Sequence, residues 1–324
     1  MMRTIDTPSR WRPWQGVILQ AAALVMLLTA GRYLQMYLGF TGLIFSELLF
    51  LILAVVYTLV RRTPLKEVFP VRRIAFRDFW GTIFLWMGSI MFGFISIYLA
   101  AFLLPDTFTK IVGGLNSALS GGSPLVTFVT VAILAPICEE AIERGAVLSH
   151  FRPLKKDWMI MLIIGVFFGI MHTDPIRFMN TTIMGASCAY LMIKKDNILL
   201  PVLLHFTNNS ISSLISLLGK SAVSTEATNE SLKILTSGSN TLLMALGSAM
   251  IMFSLAPVFM ALGVHLLMPK LAKDAPADEK KLRNRKIQRL YIIGTCGFGA
   301  LLIGGFAVML FSSAGAGPLV QGLS

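Results

Sequence analysis

Charge is scarce in this chain. Only 14% of its 324 residues are Asp, Glu, Lys or Arg, where a soluble protein carries about 25%. With a hydrophobic fraction of 55% and a mean hydropathy of +0.74, a water-soluble globular domain is excluded. Cysteine is scarcer still. Cys138, Cys188 and Cys296 all fall in apolar segments and form no CxxC, so there is no disulfide framework. A GxSxG nucleophile elbow, a zincin HExxH and a phosphate-cradling glycine loop are all missing. "GGLNSALSGG" at 113–122 reads as a flexible turn. No internal repeat is evident, and no cleavable signal peptide is expected, because the first apolar segment is long and lacks a small-residue cleavage site.

What the chain does have is long apolar runs. Many reach roughly 18 residues, enough for a helix to cross about 30 Å of hydrocarbon. We expect spans near 17–39, 43–60, 79–104, 125–149, 157–174, 179–194, 198–219, 241–268 and 290–312. The fold class is therefore all-α, a polytopic helical membrane protein with about eight or nine transmembrane helices. Three regions are expected: N-terminal helices with a basic loop (1–124), a core (125–218), and an outer polar loop, a basic loop and C-terminal helices (219–324). The polar stretch 219–240 holds Asn229-Glu230-Ser231, a glycosylation pattern relevant only in a glycosylating compartment.

The net charge of +12 raises the question of nucleic acid, and its distribution answers against it. Arg3, Arg10, Arg12, Arg61, Arg62, Lys66, Arg72, Arg73, Arg77, Arg152, Lys155, Lys156, Lys194, Lys195 and the 270–289 cluster fall on one side. The other side receives only Lys110, Arg177, Lys220 and Lys233. This is the positive-inside pattern. It sets the N-terminus in the cytoplasm and the C-terminus outside, with anionic lipid as the expected partner of the basic loops. The run "KLAKDAPADEKKLRNRKIQR" at 270–289 reads as a solvated or lipid-facing linker.

Few ionisable residues lie inside the spans. Arg32 and Glu47 match in depth and read as a structural ion pair or as snorkelling side chains. His150 and His265 read as interfacial or core histidines. The remainder cluster on three spans. "APICEEAIERG" carries Glu139, Glu140, Glu143 and Arg144; "FFGIMH" ends in His172; "HFTNN" carries His205 and Asn209. Each charge at bilayer depth costs a few kcal/mol or more, so the cluster needs a reason. Glu140 and Arg144 are i,i+4 and can pair, as are His205 and Asn209 on one face. Glu139 lies about 100° round the helix from Glu140 and is free to face a cavity. Pro136 removes a helical hydrogen bond just before the pair.

Two imidazoles and a carboxylate admit two chemistries. His172, His205 and Glu140 are candidate ligands for a divalent metal such as zinc, with an open position for water. Alternatively a carboxylate and one histidine activate water directly, leaving the other His and the Asn as donors to an oxyanion. Both end in attack of water on an amide.

The three motifs together resemble the CPBP intramembrane proteases, also called the Abi or CAAX-protease-like family, which includes the CAAX prenyl endopeptidase of eukaryotes. "EEAIER" fits EExxxR, Phe168 to His172 fits FxxxH, and His205 to Asn209 fits HxxxN. The resemblance covers about residues 125–218. It implies an intramembrane endopeptidase in which Glu139 activates water with His172. It also implies that His205 and Asn209 form the oxyanion site, with Glu140 and Arg144 in support. Metal dependence is left open by the resemblance, and the substrate is a peptide or membrane protein, prenylated or not. A bacterial cell membrane is the expected location; the oligomeric state is not readable. Two other classes compete: a non-catalytic family member acting in bacteriocin immunity or as a scaffold, and an ion-coupled transporter. Against the transporter stands the lack of a duplicated half.

Overall fold

The structure, a computed structural model, describes residues 11–108, 110–111, 123–222, 239–272 and 274–314, with side chains left out at 215–222, 239 and 314. Among these residues every regular element is a helix. The longer ones are α1 (Pro13–Leu38), α2 (Phe40–Val60), α3 (Phe76–Leu103), α4 (Pro124–Val147), α5 (Asp157–Met171), α6 (Phe178–Lys195), α7 (Leu199–Ala222), α8 (Ser239–Met252), α9 (Ala256–Leu267) and α10 (Ala277–Ala314). Five helices, α1 to α4 and α10, and the α8–α9 pair taken as one span are long and apolar enough to cross a membrane. The chain is thus an all-α, multi-pass integral membrane protein.

The expected count of eight or nine spans is not reached on that criterion. α5 is apolar but has only 15 residues. α6 and α7 give positions to Asn180, Thr181, Thr182, His205, Thr207, Asn208 and Asn209, which lowers their hydropathy. α10 departs from expectation at the other end. It begins at Ala277, so most of the basic run read as a linker is helix.

The chain divides into two compact units. The first holds residues 1–79, 114–173 and 181–217. Its core is built from Leu19 and Ala23 of α1, Phe50 and Ala54 of α2, Cys138, Ile142 and Val147 of α4, and Ile160 and Ile164 of α5. The buried positions of α2 recur every four residues: Gly42, Ser46, Phe50, Ala54 and Thr58. Apart from Phe50 this is a stripe of small and polar residues, the type that lets helices approach closely in lipid. α1 turns into α2 at Gly39, whose φ of 55° favours glycine. A Cβ on Gly42 would sit 2.0 Å from the Leu34 carbonyl oxygen, so the hairpin closes only on a glycine.

Basic residues at the ends of this unit are partly neutralised within the chain. Arg72 and Arg152 both pair with Asp196, Lys195 with Asp78, and Lys194 with Asp157. Asn197 accepts from the Arg72 backbone N–H and donates to the Arg72 carbonyl, tying the α2–α3 connection to the α6–α7 turn. Just beyond α4, His150 is fully buried, 2.8 Å from the Tyr57 hydroxyl and edge-on to Trp11. Burial, and then the Arg61 charge, push its pKa down to about 4.

The second unit holds residues 80–113, 174–180 and 218–324. There α3 packs on α9 through Gly88 against Met260 and Gly263 against the Leu85 backbone. Phe84 stacks on Phe259 and Phe94 on Phe253. His265 of α9 bonds the Tyr291 hydroxyl of α10 at 2.7 Å.

Candidate active site

The site grows around one buried cation. Arg144 and Glu140 are both inaccessible to solvent, with Nη1 3.0 Å from Oε1. Two charges taken out of water are costly, and their mutual attraction repays this only when hydrogen bonds complete the geometry. Here they do so in part. Arg144 Nη2 donates to the Gly185 carbonyl of α6 at 2.9 Å, and the guanidinium lies 4.4 Å from the centre of the Phe168 ring of α5. The Glu140 oxygen that meets Arg144 also meets His205 Nδ1 of α7 at 3.0 Å. One ion pair thereby fastens α4 to α5, α6 and α7.

Phe168 is shared by all three motifs. Its ring touches Arg144, lies 4.7 Å from the His172 ring and meets the His205 ring edge-on at 5.5 Å. His172 Nδ1 lies 2.9 Å from the Phe168 carbonyl. A carbonyl oxygen only accepts, so Nδ1 carries the proton and Nε2 of a neutral ring keeps its lone pair. Asn209 donates from Nδ2 to the Val131 carbonyl at 2.9 Å, and its Oδ1 accepts from Asn208 at 3.2 Å.

Burial sorts these residues into two sets. Glu140, Arg144 and His205 are sealed. Glu139, His172 and Asn209 are only half-buried. The Glu139 carboxylate lies within electrostatic reach of Glu47, His205, Glu140 and Arg144. A sealed, charge-paired frame thus shares its helices with three side chains that keep some exposure. That arrangement suits a carboxylate base and neutral donors working on a polar bond.

Two features escaped the sequence. Arg32 is exposed and forms no ion pair among the described residues, so the expected Arg32–Glu47 pair is absent. Glu47 instead lies near Glu139 and Cys138, with its Oε2 buried. The signal was present in the small and polar stripe of α2, which Glu47 flanks at Ser46. The second is Gln20 of α1, whose Nε2 donates to Glu143 Oε1 at 2.8 Å, both side chains being buried. A Gln in the apolar middle of α1 was the only hint of it.

The expected metal set does not fit. Among the described residues no three His, Cys, Asp or Glu side chains converge as a metal site. Glu140 and His205 turn towards each other, while His172 is held on its own helix. Comparison with curated proteins and with solved structures gave no match. Residues 121–211 match the family model described as "Type II CAAX prenyl endopeptidase Rce1-like". The matched segment runs from just before α4 into α7 and contains all six residues of the frame and its accessible neighbours. A CAAX-protease-like domain is thus matched over residues 121–211.

Proposed function

We propose that this protein is an intramembrane endopeptidase that cleaves a peptide or membrane-protein substrate with activated water. One observation carries the reading: the buried Glu140–Arg144–His205 frame joins the helices that carry the half-buried Glu139, His172 and Asn209. In the proposed reaction Glu139 takes a proton from water, and His172 Nε2 accepts a hydrogen bond from the same water. The hydroxide oxygen bonds to the scissile carbonyl carbon, and the carbonyl electrons move to oxygen. Asn209 donates its second Nδ2–H to that oxyanion. His205 donates from Nε2 when its ring is doubly protonated, with Nδ1–H on Glu140. Collapse breaks the C–N bond, and Glu139 returns its proton to the leaving nitrogen. Removing a single oxyanion donor from such a site costs roughly 100- to 1,000-fold in kcat.

In this reading α5, α6 and α7 complete nine spans in a bacterial cell membrane. The N-terminus is cytoplasmic, and anionic lipid meets the basic connections that are not paired within the chain. The test is cleavage of a peptide library, farnesylated CAAX peptides included, by the purified protein in detergent. Glu139→Gln should abolish cleavage while the melting curve stays intact. Full activity in that variant removes Glu139 as the base, and cleavage by neither protein removes the peptidase reading for that library.

A further inference from the structure

The Asn209 amide is held by a backbone carbonyl that α4 itself cannot use. The helix widens to π geometry over Val129–Leu134, and the Ala135 N–H bonds to the Thr130 carbonyl, five residues back. In ordinary α geometry that N–H would have reached Val131. The next donor along the widened path would be residue 136, and residue 136 is proline, which has no N–H. The Val131 carbonyl is left without a donor inside its own helix. A backbone acceptor without a helical donor needs another partner, and Asn209 Nδ2 supplies it at 2.9 Å.

This fixes more than a contact. Only an N–H can face a carbonyl, so the amide cannot flip. The Asn208 bond to Oδ1 agrees with the same orientation. The second Nδ2–H is thereby aimed by the backbone of α4, four residues along α7 from the His205–Glu140 contact. Asn209 and the glutamates are thus linked through α4, because Pro136 precedes Glu139 by less than one turn.

We infer that Pro136 is a positioning residue: by withholding an N–H it frees the Val131 carbonyl, which sets the Asn209 amide. It touches no substrate. The inference rests on the proposed peptidase reading only for its effect on turnover, since the contact itself exists whatever the chain does. Pro136→Ala supplies an N–H at position 136 and relieves a helix of proline, so the variant should fold. The new N–H competes for Val131, and the Asn209 amide loses its anchor.

The experiment is a double-mutant cycle of Pro136→Ala and Asn209→Ala on the full chain in detergent, read first by melting temperature. Asn209→Ala should lower the melting temperature in the wild-type background and by less than half as much in Pro136→Ala. Equal losses in both backgrounds overturn the inference, whether or not any peptide is cleaved. If peptide is cleaved, Pro136→Ala should lower kcat roughly 10- to 100-fold, the scale of a small misplacement, with KM changed less than two-fold. Pro136→Gly, which also restores the N–H, should show the same split. Unchanged kcat in both overturns the inference and leaves the peptidase reading standing.

Discussion

Arg144 offers the sharpest test of how the site is held. Its guanidinium makes three interactions from full burial: the Glu140 carboxylate at 3.0 Å, the Gly185 carbonyl at 2.9 Å and the Phe168 ring at 4.4 Å. Arg144→Met keeps much of the volume and removes all three. The dominant loss is the stranding of Glu140, since breaking a buried pair by removing one partner costs about 3–5 kcal/mol. The Gly185 hydrogen bond and the ring contact belong to the same charge and are not added separately. At about 2 °C per kcal/mol for a chain of this size, the melting temperature should fall by roughly 6–10 °C. Arg144→Lys should recover only part of this, because an ammonium lacks the fork that spans Glu140 and Gly185. The deciding variant is Arg144→Met with Glu140→Leu. If stranded charge is the cost, the double variant melts higher than Arg144→Met alone. Thermal unfolding in detergent by tryptophan fluorescence reads all three. An Arg144→Met curve within a degree of the wild type, or a double variant that melts lower still, refutes the reasoning.

Two further perturbations follow from buried groups away from that pair. Gln20→Leu strips Glu143 of its donor and should cost about 1–3 kcal/mol, while adding Glu143→Leu should restore most of it; melting curves that drop further with the second change would contradict this. His150 is neutral when folded, with its pKa pushed down to about 4 from an ordinary 6.5. The unfolded chain therefore binds the proton first as pH falls. Its contribution to stability is complete above pH 6.5 and is lost progressively towards pH 4. His150→Gln should flatten the fall in melting temperature over that window, and an unchanged slope would rule the histidine out as its source.

Much of the site was legible because it is written in i,i+4 spacing. Glu140 and Arg144 pair within one helix, as the sequence indicated, whereas the His205 contact with Glu140 was not among the expected pairs. What the sequence could not supply was partnership across helices without a charge rule to follow. Glu47 was matched to Arg32 by depth alone, yet the exposed Arg32 has no ion pair among the described residues and the stripe on α2 turns Glu47 towards α4. The Asn209 bond was invisible for a different reason. Its acceptor is a backbone carbonyl exposed by a widened turn, and the side-chain sequence of α4 advertises only the proline. The fall from eight or nine expected spans to six has two origins: α5 is apolar but has only 15 residues, and the polar residues of α6 and α7 lower their hydropathy.

The length of α10 has a mechanical consequence. Its 38 residues rise about 57 Å at 1.5 Å each, nearly twice the hydrocarbon thickness of about 30 Å. The apolar stretch sits at the C-terminal end, so the surplus lies at the end that begins with Ala277. That end carries Lys280, Lys281, Arg283, Arg285, Lys286 and Arg289, and it is continuous helix rather than tether. A cationic rod rooted in the bilayer holds its charges at set heights and azimuths. Any anionic surface it meets is met by a stiff ruler, which admits a ligand by its distance from the membrane as well as by its charge.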